Sequence, residues 1–214
     1  MKIKICGLKR PEDVNYVNQS LPDFAGFVFA GTKRKIDFDT AYNLKKALNP
    51  SIPSIGVFVN AKIGDILHLV RENVLDYIQL HGDETEEYII TLRSELKAMG
   101  KEQIPIIKAV RVMSTEQVLN AEQLSVDYLL LDAFVAGEYG GSGKVFDHTL
   151  IPHLKKPFFL AGGIDSNNIE TILETLKKED KVPFCIDVSS SVETEGNKDE
   201  EKIAEMVSVI RHLH

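Results

Sequence analysis

The feature that most limits how this chain can fold is an alternation. Short runs rich in Ile, Val, Phe and Leu recur along it: KIKIC at 2–6, FAGFVF at 24–29, IPSIGVFV at 52–59, VLDYIQL at 74–80, IPIIKAV at 104–110, VDYLLLD at 126–132, PFFLA at 157–161 and PFCIDV at 183–188. Between them lie stretches of helical period, such as AKIGDILHLVREN, EEYIITLRSELKAM and EKIAEMVSVIRHL, many preceded by a capping Asp, Ser or Asn. Strands separated by helices pair in parallel, and parallel strands are covered on both faces, which explains runs that are almost continuously apolar. An open doubly wound sheet and a closed barrel both meet that condition. Eight βα units of about 27 residues fit a compact (βα)8 barrel, the TIM barrel, somewhat below its typical size. No Pro/Gly/Ser linker or shift in composition divides residues 1–214, so a single α/β domain is expected.

Charge and cysteine content narrow the function. With 32 acidic against 25 basic residues the net charge is −7, which argues against a nucleic-acid surface and offers no polybasic membrane signal. An anionic ligand would therefore need a local site. Two cysteines far apart form neither a metal-ligand spacing nor a secreted disulfide framework, so a cytoplasmic protein is expected. The opening residues read as a strand and not as a signal peptide, and no apolar run is long enough for a membrane span.

In a barrel of this kind, chemistry belongs at the C-terminal ends of the strands and in the loops that follow them. Cys6 ends the first run, Arg34 follows the second, His81 the fourth, Asp132 ends the sixth, Gly162 and Gly163 follow the seventh, and Asp187 ends the eighth. All would rim one mouth. LAGGID at 160–165 places two glycines before a helix start, and DVSSSVE at 187–193 supplies Ser189 and Ser190 in the next loop. Barrels often hold phosphate with the loops after strands 7 and 8, so a phosphorylated small molecule is the expected ligand. The loop EYGGSGKVFDH, with Gly141, is either a Gly-rich lid or an anion contact, and lacks the spacing of a P-loop. Arg34 in GTKRKID is either a solvated charge or a planar fork for a carboxylate.

KICGL, the Lys-Arg pair after FVF, GVFVN, QLHG, LLLD, YGGSGKVFDH, LAGGI and DVSS, in this order, resemble the phosphoribosylanthranilate isomerase family over residues 4–199. That resemblance implies a (βα)8 barrel and an Amadori rearrangement of N-(5'-phosphoribosyl)anthranilate in tryptophan biosynthesis, with no cofactor and no metal. It implies Cys6 as general base, Asp132 as general acid and Arg34 on the anthranilate carboxylate. Gly162, Gly163, Ser189 and Ser190, in the loops after strands 7 and 8, are implied for the phosphate; on their placement at the mouth, Gly141, Asp187 and His81 are further binding candidates, His81 being equally a rim residue that bonds to structure. The partner is then a small phosphosugar, with neither nucleic acid nor membrane, and the chain a monomer or homodimer. Ser191 stands where the family usually has glycine.

The chemistry asks for a thiolate and a neutral carboxyl together, whereas ordinary groups at pH 7 would be only about 3% thiolate and about 0.1% neutral Asp. A nearby cation would lower the thiol. Lys4 shares strand parity with Cys6 and should face the barrel interior, where Asp187 of the last strand closes beside the first, so a Lys4–Asp187 ion pair is expected beneath the site. Cys185 lies deeper in its strand and is read as packing.

Overall fold

The computed structural model describes residues 1–132 and 148–213. Eight parallel strands close into a barrel in the order of the chain: β1 (Lys2–Cys6), β2 (Phe24–Val28), β3 (Ser54–Phe58), β4 (Tyr77–Leu80), β5 (Ile106–Arg111), β6 (Tyr128–Asp132), β7 (Phe158–Ala161) and β8 (Cys185–Val188). β8 pairs with β1, with Lys4 opposite Asp187. Around the barrel run α1 (Pro11–Ser20), α2 (Phe38–Ala47), α3 (Ile63–Arg71), α4 (Glu86–Ala98), α5 (Thr115–Glu122), α6 (Ile169–Lys178) and α7 (Glu200–His212). A short antiparallel hairpin, β9 (Glu193–Thr194) and β10 (Asn197–Lys198), separates β8 from α7.

The helices begin where local chemistry satisfies their first free N–H groups. Asp37, Thr85, Ser114 and Asp199 each accept from the backbone N–H three residues on, at the starts of α2, α4, α5 and α7, each cap being worth about 1 kcal/mol. Ile203, Met206, Val207 and Ile210 form the buried stripe of α7, and Ile169, Ile172, Leu173 and Leu176 that of α6. Their spacing of three and four residues puts one face of each helix on the barrel.

The eight strands of the expected barrel are accompanied, among the described residues, by seven α-helices. Among the described residues, the connection from β6 to β7 carries only a 3-10 turn, His148–Leu150. Pro152 and Pro157 lie just beyond it, and proline cannot continue a helix because it lacks the N–H and crowds the preceding turn.

Two cores result from strand alternation. Ile3, Ile5, Leu129, Leu131, Ile186 and Val188 point outward into the layer beneath the helices. Phe24, Ile55, Leu130, Phe159 and Cys185 fill the barrel interior, which places Cys185 in packing, as expected. The lower rim carries a device that recurs three times. Asp23, Asp76 and Asp127, each just before an aromatic residue that opens an even-numbered strand, accept the backbone N–H of Ile3, Ser54 and Ile106 on the preceding odd strand. These carboxylates satisfy backbone N–H groups near the strand starts, at the end of the barrel opposite the mouth. No helix among the described residues is long and apolar enough to cross a membrane.

Candidate active site

The same alternation that turns Ile3, Ile5, Leu129 and Leu131 outward turns Lys4, Cys6 and Asp132 inward, and Asp187 follows Cys185 on the inner face of β8. Pairing runs from Lys4 to Asp187, to Ala161 and on to Asp132, so these residues lie in register across β1, β8, β7 and β6. At the C-terminal mouth a cavity of ≈ 900 Å³ is lined by Cys6, Arg34, His81, Asp132, Gly162, Gly163, Asp187, Ser189 and Ser190. The structure thus gathers every described residue singled out in the sequence. Gly141 lies outside the described residues.

Two glycines make the arrangement possible. A Cβ at Gly26 on β2 would come within 2.8 Å of Cys6 Sγ and 2.9 Å of Cys6 Cα, so β2 leaves room for the thiol. Gly7 has φ +88°, and a Cβ there would meet Arg34 Cδ at 2.5 Å. The turn after Cys6 is thus the floor over which the Arg34 side chain passes.

Beneath the thiol, Lys4 is fully buried and donates to Asp187 Oδ2 at 3.0 Å and to Gln79 Oε1 at 2.6 Å. The expected ion pair is present. Burial works against the Lys4 charge, but Asp187, Cys6 and the bond to Asp187 together hold its ammonium above the ordinary range. Cys6 departs from expectation. Burial pushes its thiol up and Asp187 adds to the push; Lys4 and Lys198 pull down without reversing it. Two cations do not make a thiolate where burial, with a carboxylate beside it, opposes them.

His81 is set at the mouth by a buried brace. Glu84 accepts from the N–H groups of Asn60 and Gly82 and from Lys108 Nζ, which also donates to the Gly82 carbonyl. His81 itself contacts Gln79 Nε2 through Nδ1 at 2.9 Å and lies 3.5 Å from Asp132 Oδ2 through Nε2.

Arg34 is not a solvated charge. Its Nε and Nη2 donate to the two oxygens of Glu193, each at 2.7 Å, and Lys198 Nζ donates to the same carboxylate at 2.7 Å. Burial disfavours the Glu193 anion, but the Arg34 and Lys198 hydrogen bonds and charges overturn it and hold this carboxyl at about 2. The β9–β10 hairpin therefore clamps Arg34 over the mouth.

At the other side of the mouth, Gly162 and Gly163 have φ of 97° and 62°, a left-handed turn open only to glycine without strain. Ser189 spends its hydroxyl proton on the Cys6 carbonyl at 2.9 Å, tying the loop after β8 to the end of β1. Ser191 does not have a positive φ, so its backbone makes no demand for glycine. Its Oγ and Asp187 Oδ1 are buried without a hydrogen-bond partner, and both residues line the cavity.

Gln79, Arg111, Glu193 and Lys198 were not singled out as site residues. Gln79 and Arg111 also line the cavity; the signal for Gln79 was its place two residues before His81, on the same strand face. Among the described residues, no group of three His, Cys, Asp or Glu could hold a metal ion. An acidic and a basic proton carrier, a guanidinium and a glycine-serine cradle around one opening form a set suited to proton transfer on an anionic small molecule.

The closed barrel and this ring of groups at its C-terminal mouth define the class: a TIM-barrel enzyme. A family model described as N-(5'phosphoribosyl)anthranilate (PRA) isomerase matches residues 3–209. The chain belongs to that family of isomerases in tryptophan biosynthesis. It is 48% identical over 212 residues to the N-(5'-phosphoribosyl)anthranilate isomerase of Endomicrobium trichonymphae, covering 99% of each chain. Its fold is similar to the crystal structure of the Thermotoga maritima phosphoribosyl anthranilate isomerase, with a TM-score of 0.80, 31% identity and 99% of each chain covered. A further similar structure is a phosphoribosyl anthranilate isomerase in complex with reduced 1-(o-carboxyphenylamino)-1-deoxyribulose 5-phosphate, with a TM-score of 0.76, 28% identity and 99% of each chain covered.

Proposed function

We propose that this isomerase carries out the Amadori rearrangement of N-(5'-phosphoribosyl)anthranilate to 1-(2-carboxyphenylamino)-1-deoxyribulose 5-phosphate, with Asp132 as general acid and Cys6 as general base. The observation that carries the reading is that these two inward-facing residues, on β1 and β6, line one cavity. The ligand named for the similar complex, a reduced aminodeoxyribulose phosphate, supports the substrate class.

Asp132 delivers a proton to the ribose ring oxygen while the aryl nitrogen pushes in electrons, opening the ring to a Schiff base. Cys6 then takes the proton from C2', giving an enamine that tautomerises to the ketone. With burial holding the Cys6 thiol up, thiolate is the minority form of the resting site, and Lys4 and Lys198 are the charges that favour it. Arg34, clamped by Glu193 through Nε and Nη2, keeps its remaining guanidinium edge for the anthranilate carboxylate. Gly162, Gly163, Ser189 and Ser190 receive the phosphate, with Gly141 in the neighbouring loop. The partnerless Asp187 Oδ1 accepts a ribose hydroxyl, and His81 closes the site beside Asp132. No nucleic acid or membrane takes part, and the free thiols of Cys6 and Cys185 suit a reducing cytoplasm.

The anthranilate group is fluorescent, so conversion can be followed optically. Wild-type protein is expected to change that signal, Cys6→Ser and Asp132→Asn to lose turnover by ~100-fold or more, and Arg34→Ala to raise KM chiefly. Near-normal turnover by either of the first two variants would refute the acid/base assignment.

A further inference from the structure

Four side chains form one polar line from the barrel floor to the mouth: Lys4 Nζ to Gln79 Oε1 at 2.6 Å, Gln79 Nε2 to His81 Nδ1 at 2.9 Å, and His81 Nε2 to Asp132 Oδ2 at 3.5 Å. The donor inventory along it leaves a single solution. Lys4, an ammonium paired with Asp187, can only donate, so the atom of Gln79 that faces it must be the oxygen. The Gln79 amide nitrogen then faces His81 and must donate. His81 Nδ1 must therefore be an acceptor, and the ring proton sits on Nε2, the nitrogen 3.5 Å from Asp132 Oδ2. Each alternative sets donor against donor. A flipped Gln79 amide would place its NH2 on the Lys4 ammonium, and a proton on Nδ1 would oppose the Gln79 N–H. Lys4 is fully buried and Gln79 is 1% exposed, so a donor set against a donor here is costly.

We propose that Lys4, acting through Gln79, fixes the His81 tautomer that presents Nε2–H to Asp132, and that this makes Gln79 and His81 positioning residues for the proposed acid. Oδ2 of Asp132 is the oxygen that faces this nitrogen. Once the proton of the acid has gone to the ribose oxygen, the new carboxylate has an N–H donor 3.5 Å away. The 3.5 Å gap closes as charge develops, so the contact is worth more in the transition state than before it. No proton moves along the line. Its catalytic consequence rests on the reading of Asp132 as the acid; the tautomer does not.

The test uses full-length protein labelled with 15N-histidine, with His81→Gln to assign the His81 signals. Long-range 15N–1H correlations at neutral pH are expected to show His81 protonated at Nε2 only. Gln79→Leu should lose this preference, and Gln79→Glu, whose carboxylate can only accept, should reverse it by favouring a proton on Nδ1 that donates to it. Both should lower kcat by roughly tenfold, the worth of one hydrogen bond, with KM little changed. A wild-type ring protonated at Nδ1 would overturn the proposal, without recourse to the variants should they fold poorly. So would unchanged kcat in a Gln79→Leu protein whose tautomer has been lost. Normal turnover by Asp132→Asn would overturn the positioning role at its base while leaving the tautomer assignment standing, which separates the two failures.

Discussion

Arg34 and Glu193 meet in a two-pronged pair, Nε on Oε1 and Nη2 on Oε2, both at 2.7 Å. They come from opposite sides of the barrel seam, the loop after β2 and the hairpin after β8. The pair fixes the guanidinium plane before any ligand arrives, which is how a carboxylate receptor avoids ordering a flexible arginine at the moment of binding. Glu193→Gln is expected to raise KM about tenfold, the worth of about 1.4 kcal/mol, with a smaller effect on kcat. Steady-state kinetics check it.

The same carboxylate gives a pH signature. Glu193 is held at about 2, below its value in the unfolded chain, so its stabilisation is present above about pH 4.5 and disappears as the pH falls towards 2. From pH 5 to pH 3 wild type should lose about 2 kcal/mol more stability than Glu193→Gln. Urea unfolding at a series of pH values measures the difference; parallel curves would show that the clamp contributes nothing.

Cys6 carries a thiol pushed up by burial and by Asp187, with Lys4 and Lys198 opposing. Its alkylation by iodoacetamide should therefore rise with pH and reach half its maximum above the usual thiol range near 8.5. Lys198→Met should move the midpoint higher still. Cys185, fully buried in the barrel core, should react only on unfolding. A midpoint below 8 would contradict this account of the thiol.

Ser191 offers a contrast between stability and binding. Its Oγ is buried without a partner at the cavity wall, so Ser191→Ala removes no hydrogen bond from the ligand-free protein. Stability should be unchanged or higher by about 1 kcal/mol, whereas affinity for the phosphorylated product should fall several-fold, roughly what one hydrogen bond contributes. Thermal unfolding and product inhibition read the two effects separately.

Gly26 is a steric requirement. An added methyl would press on Cys6 Cα, which is backbone and cannot swing aside. Gly26→Ala should destabilise the barrel by about 2 kcal/mol and displace the thiol, lowering kcat more than a change of similar stability elsewhere. Denaturation and turnover of Gly26→Ala beside Asp127→Ala, which loses a rim clamp far from the site, make that comparison.

Much of this site could be read from the chain because period-two alternation and strand ends are local properties. Once Ile3 and Ile5 point outward, Lys4 and Cys6 have only the interior to face, and closing the barrel brings Asp187 beside Lys4. Partners supplied by loop shape were hidden: nothing in ETEGNK shows that Glu193 and Lys198 fold back onto Arg34. Gln79 was hidden for another reason, since the role of an amide depends on which atom faces which neighbour, and that choice is imposed by a lysine on β1. The thiol is not legible from a nearby cation alone, because the desolvation and the carboxylate that accompany it appear only once the barrel closes. Between β6 and β7 the described residues hold only the 3-10 turn His148–Leu150, and Pro152 and Pro157 beyond it do not suit a helix.

The central claim is that a sulfur and a carboxyl address one pentose from two sides. The most direct measurement is the structure of this protein with the reduced aminodeoxyribulose phosphate in its cavity. The account predicts Cys6 Sγ within roughly 3.5 Å of C2' and an Asp132 oxygen within hydrogen-bonding reach of the hydroxyl derived from the ring oxygen. A ligand lying with C2' out of reach of the sulfur, or with Asp132 turned away from that oxygen, would contradict it.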